Sequence, residues 1–180
     1  MALEFIAEID ANSVDTENLV FSAIPQTYES LRLMGVGNTD YAVAQSMGGT
    51  FSLQFNEETT DSKHGFMRIA ADYYQILLNI EGTYSDNTAE CGSMSGTTSE
   101  SGYYPATYIV DIYNYKGVAA TGSVQYFARS TTATAANQYS HNAYYAGTYG
   151  NGTTPITSLQ LKSALGNWMR YSKFSLYGRD

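Results

Sequence analysis

His64 and His141 are the only histidines in the chain, and a general base or a metal site of the usual kind would have to draw on them. A zinc-like ion needs several ligands at close spacing, yet neither histidine has a second His or a Cys two to four residues away. Ser62 and Ser140 lie beside the histidines as conceivable nucleophiles. There is no GxSxG elbow, however, and near neighbours in sequence seldom face each other as nucleophile and base. Glu57, Glu58 and Asp61 gather carboxylates but lack the D-x-D-x-D-G spacing of a calcium loop, and the pairs Glu8 with Asp10 and Asp15 with Glu17 read the same way. No GxGxxG or P-loop is present to cradle a nucleotide. The single cysteine, Cys91, excludes an internal disulfide and reads as an unreactive thiol in a polar loop. The expectation is therefore no catalytic residue, no metal and no cofactor.

What remains is aromatic. The chain has 17 Tyr and 16 Gly while only 14% of its residues are charged. Tyr103, Tyr104, Tyr139, Tyr144, Tyr145 and Tyr149 lie in or beside Gly/Ser/Thr-rich stretches. A tyrosine can bury its ring and keep its hydroxyl wet, so tyrosines there can grip a protein neighbour or stack on a sugar. The bland alternative is that the rings pack against the edge of the fold. These six are the interface candidates.

The elements that would carry them read as strands. Phe5, Ala7 and Ile9 alternate, and so do Leu19, Phe21 and Ala23 after a polar turn, which predicts a first hairpin. Pro25 interrupts any central strand before a run through Tyr28, Leu31 and Leu33. Phe51, Leu53 and Phe55 give the cleanest alternation. Residues 66–80 fit a helix and a strand about equally by periodicity, because Phe66, Ile69, Ala70, Tyr73, Leu77 and Leu78 would line one helical face. Residues 82–102 have the composition of a long exposed loop. Tyr108, Val110 and Ile112 predict a strand, with Val124, Tyr126 and Ala128 as its partner. Residues 131–155 predict one short strand flanked by loops. Leu159 with Leu161 and Phe174 with Leu176 predict two buried strands that tie down the C-terminus. The fold expected is all-β, a single-domain antiparallel β-sandwich or jelly roll spanning 1–180, with one short helix around 66–80 as the alternative reading there.

Charge narrows the partners. Nine Lys and Arg against 17 Asp and Glu give a net charge of -8, and a chain this poor in cations can hardly supply the basic face that phosphates require. Nucleic acid is excluded on that ground. The opening MALEFIAEID lacks the charge pattern of a signal peptide, and no stretch approaches the ~20 apolar residues of a membrane span. A soluble, unexported chain is expected.

Four blocks carry a family likeness: FSAIPQTYESLRL (Phe21 to Leu33), SLQFNEET (Ser52 to Thr59), IVDIYNYKG (Ile109 to Gly117) and PITSLQLKSALGNWMRYSKFSLYG (Pro155 to Gly178). In this order they resemble a family of small virion structural proteins of tailed phages, common in marine phages and prophages. The first and last blocks are the specific part. The resemblance implies a β-sandwich virion component without enzymatic activity, assembled in the host cytoplasm. It also tilts 66–80 toward strand, although Glu57, Glu58 and Thr59 stand where the family has a Gly-Asp turn. With no heptads and no stalk-like repeat, the expectation is a capsid decoration or cement protein on the outside of the head, bound to the major capsid protein or other virion proteins. The largely uncharged surface invites a homo-oligomer such as a trimer. The alternative is a tail or tail-fibre module that binds a host glycan or surface protein.

Overall fold

The computed structural model describes residues 2–11, 16–42, 50–59, 64–71, 76–77, 88–93, 96–97, 105–117, 123–133, 140–150 and 153–180. The described strands are β1 (Leu3–Asp10), β2 (Asn18–Phe21), β3 (Ser30–Gly37), β4 (Thr39–Ala42), β5 (Thr50–Phe55), β6 (His64–Ala71) and β7 (Ile76–Leu77). They continue with β8 (Ala89–Ser93), β9 (Gly96–Thr97), β10 (Ala106–Tyr113), β11 (Ser123–Ala133), β12 (Ser140–Gly150), β13 (Leu159–Ser163) and β14 (Lys173–Arg179). No helix occurs among the described residues. An eight-stranded sheet runs β1-β14-β3-β10-β11-β12-β6-β7 and a four-stranded sheet runs β2-β13-β5-β8, both antiparallel. A short parallel pair, β4 with β9, completes the set.

The two larger sheets pack face to face as a β-sandwich, and alternation in the sequence dictates which side chains meet. Along β10, Ala106, Tyr108, Val110 and Ile112 are buried while Thr107 and Tyr113 face out. The inward rings interlock across the layers. Phe51 of β5 lies 4.8 Å from Tyr108 and 5.9 Å from Phe174 of the other sheet, and Phe55 stacks on Tyr149 at 5.0 Å. Trp168, fully buried, closes the cluster edge-on to Phe51 and Phe174. Such ring pairs are worth about 0.5–1.5 kcal/mol each beyond their buried area.

Four sequence expectations change. β1 and β2 do not form a hairpin: β1 pairs with β14 and β2 with β13, so the two strands lie in different sheets. Residues 66–80 contain strand where described, as β6 and β7, and the helix alternative fails because Met67 and Ile69 face out while Phe66 faces in, a period of two. The stretch read as an exposed loop at 82–102 holds β8, whose Ala89 and Cys91 are fully buried. Small residues let this strand lie close to the large sheet; a Cβ at Gly92 would sit 2.9 Å from Tyr108 and from Ser130. Finally, the short strand predicted within 131–155 is the eleven-residue β12.

The four blocks of the family likeness meet in space. Ile24 N–H donates to Thr157 O, the Gln26 amide donates to Ile156 O, and Ile156 N–H donates to Tyr115 O. Tyr115 donates its hydroxyl to Pro25 O at 2.7 Å and accepts from Tyr28 N–H at 3.3 Å. These residues staple non-regular backbone at one end of the sandwich, where no ladder would otherwise satisfy it.

Candidate interaction face

Of the residues first weighed for chemistry, the two histidines fall at opposite ends of one strand pair. His64 stands opposite Tyr149 at one end of the β6/β12 pair, and His141 lies beyond Asn142 at the other end. Glu57 and Glu58 follow β5 in a turn, and Asp15, Asp61 and Ser62 lie outside the described residues. Glu8 forms an ion pair with Lys173 at 2.7 Å. Among the described residues no group of three or more His, Cys, Asp or Glu side chains is placed to hold a metal ion. The Cys91 thiol, rather than lying in a loop, is fully buried, donates to Ala89 O, and is pushed well up in pKa by burial.

Of the six tyrosines, Tyr103, Tyr104 and Tyr139 lie outside the described residues. The other three are in β12 rather than in loops, and strand alternation divides them. Tyr145 and Tyr149 point into the sandwich at 2% exposure, which corrects their reading as interface residues, whereas Tyr144 points out at 59%. Burial also raises the Tyr149 phenol to about 12, and it pushes Tyr108 and Tyr126 higher still. These phenols stay neutral throughout the physiological range.

Tyr144 belongs to a larger feature. The outward positions of β3, β10, β11, β12 and β6 carry Met34, Ile109, Phe127, Tyr144, Ala146, Met67 and Ile69. Phe127 is 58% exposed and meets Tyr113 edge-on with centroids 6.5 Å apart. The register places Phe127 between Asp111 and Ala146, with Met67 next in the row, and Tyr144 between Arg129 and Ile69 in the next. Five strands at ~4.8 Å spacing make this face roughly 20 Å wide, and an apolar patch of a few hundred Å² is the scale at which a surface marks a contact site. Sequence reasoning picked out Tyr144 but missed Phe127, Met67 and Ile69, because alternation marks two faces without saying which one is covered.

Polar groups are set into this face. Arg32 grips Asp111 with two hydrogen bonds, Nε to Oδ1 at 2.6 Å and a terminal nitrogen to Oδ2 at 2.8 Å, and this holds the guanidinium pKa above its ordinary value. Two hollows flank Phe127 and Tyr144. One, about 420 Å³ and open, lies among Gly65, Met67, Phe127, Ala146 and Thr148. The other, about 290 Å³, is lined by Thr107, Ile109, Arg129, Thr131, Asn142 and Tyr144. The face is therefore flat, aromatic and pitted, with sparse polar groups held in fixed places. Such a surface can bind by burying area.

Compared with known proteins, the chain matches no family model, no curated protein and no solved structure.

Proposed function

We propose that this chain is a non-enzymatic structural protein of a tailed-phage virion, docked on its neighbours through the outer face of the eight-stranded sheet. The observation that carries the reading is that face itself. Phe127, Tyr144, Met67 and Ile69 stand side by side in solvent, where large apolar side chains gain most from being covered. The four sequence blocks supply the class of protein by resemblance. Decoration of the head exterior is the favoured placement, with the major capsid protein or another virion protein as partner. A homo-oligomer such as a trimer, joined through surfaces other than this face, suits that site. Binding to the assembled shell would stabilise it by mass action, and many copies would add avidity. Electron microscopy of particles produced without this protein tests the placement. Heads that lose an external density and open more readily on heating support it; intact heads with an altered tail refute it.

A second reading rests on the smaller hollow. Tyr144 beside Asn142 and Thr131 presents an aromatic ring next to an amide and a hydroxyl, a combination that can stack on a sugar and hydrogen-bond to it. A tail or tail-fibre module that binds a host glycan would use it. Retention of the purified protein on a glycan array, lost on Tyr144→Ala, would favour this reading over the first.

A further inference from the structure

Arg129 is at odds with its surroundings. The chain has nine cationic residues against 17 acidic ones, so a surface arginine has carboxylates in excess to choose from. On the same face Arg32 takes Asp111 in a two-pronged pair, and Lys173 takes Glu8. Arg129 stands instead between Ile109 and Tyr144 across the strands, with Phe127 two residues before it, and among the described residues no hydrogen bond or ion pair engages its side chain. It lines the smaller hollow, whose Thr131 and Asn142 side chains bond to each other at 2.9 Å. Covering this apolar face would strip water from an unpaired guanidinium, a large cost unless the covering surface supplies the counter-charge.

Building on the docking face proposed above, we infer that the protein seated on it presents a carboxylate to Arg129, inserted into the hollow beside Tyr144. The occupant is a different protein rather than a second copy of this chain. A two-fold contact centred here would set Arg129 against Arg129, and the Asp111 carboxylate that a shifted copy might offer is already held by Arg32. A planar guanidinium beside an aromatic ring is suited to a two-pronged grip on a carboxylate, and in a desolvated site that pairing fixes register as well as affinity.

The test uses heads assembled without this protein and measures rebinding of purified full-length variants across a salt series. Arg129→Gln is expected to bind at least about tenfold more weakly, Arg129→Glu more weakly still, and Arg129→Lys in between, with the salt dependence flattened in Arg129→Gln. All three should unfold at the wild-type temperature, because Arg129 has no partner to lose within the described fold. Phe127→Ser, measured in parallel, separates the two layers of the reading. If Phe127→Ser abolishes binding while Arg129→Gln and Arg129→Glu stay within about twofold of wild type, the docking face stands and the carboxylate is overturned. If none of the variants weakens binding, both fall. Concentration-dependent self-association that Arg129→Gln removes would also overturn the inference, by giving the face to a second copy.

Discussion

The side-chain carbonyl of Asn56 accepts a hydrogen bond from the backbone N–H of Thr157 at 2.8 Å, joining the turn after β5 to a segment about a hundred positions away in sequence. The same oxygen accepts from Ser158 N–H at 3.1 Å, and the Asn56 amide donates to Pro155 O at 2.8 Å. Asn56 also adopts a φ of 51°, which asparagine tolerates better than most residues. Asn56→Ala should therefore cost roughly 1–3 kcal/mol, mainly from the lost bonds to the part-buried Ser158 N–H and Pro155 O, since water can reach Thr157, and from strain at the left-handed position. Urea unfolding measures it. A loss below about 0.5 kcal/mol would show that water replaces the carboxamide freely.

Tyr115 makes a second staple, donating to Pro25 O and accepting from Tyr28 N–H. Tyr115→Phe keeps the buried ring and deletes only the hydroxyl. It should destabilise by about 1–2 kcal/mol, which for a chain of this length lowers the melting temperature by roughly 2–8 °C. Calorimetry reads the shift directly, and an unchanged melting temperature would contradict the staple.

Gly178 lies under the ring of Tyr28, and a Cβ there would fall 2.2 Å from the nearest ring carbon. Gly178→Ala should force the ring aside and cost about 1–3 kcal/mol. The paired variant Gly178→Ala with Tyr28→Ala should recover part of that cost, because it relieves the clash. A double-mutant cycle with no coupling would show that the two residues do not touch.

Stability should be level through neutral pH and fall on the alkaline side. Tyr149 is raised to about 12 by burial, and Tyr108 and Tyr126 are raised further, while an unfolded tyrosine ionises near 10. Folded pKa values above the unfolded value mean that the folded state retains the protons longer. Their contribution is complete below about pH 10 and drains away as pH climbs past it. Tyrosinate absorbance from Tyr108, Tyr126 and Tyr149 should accordingly appear only as the fold opens. A single smooth titration of all the tyrosines with the fold intact would contradict the burial.

Local alternation made β5, β10, β11, β13 and β14 readable in advance, because each places large residues such as Phe51, Tyr108 or Leu176 on one inward face. β8 was not readable: its inward groups are Ala89 and Cys91, too small to register as a hydrophobic run. The partners of β1 and β2 escaped for another reason. Both pair with the final block of the chain, and no local signal encodes a contact of such sequence separation. In the candidate face, Tyr144 could be named because it is a tyrosine near glycines. Phe127 could not, because its alternation with Tyr126 looked like that of any core strand until the fold showed that the outward side is uncovered.

The outer face of the eight-stranded sheet is proposed as the surface by which this protein is held. The direct measurement is the affinity of Phe127→Ser/Tyr144→Ser for heads assembled without the protein, compared with wild type under identical salt. Both rings are more than half exposed, so the variant should fold and melt as wild type does. Binding should fall by at least about a hundredfold, the scale expected when two aromatic anchors leave the centre of an interface. Wild-type affinity in the double variant would contradict it.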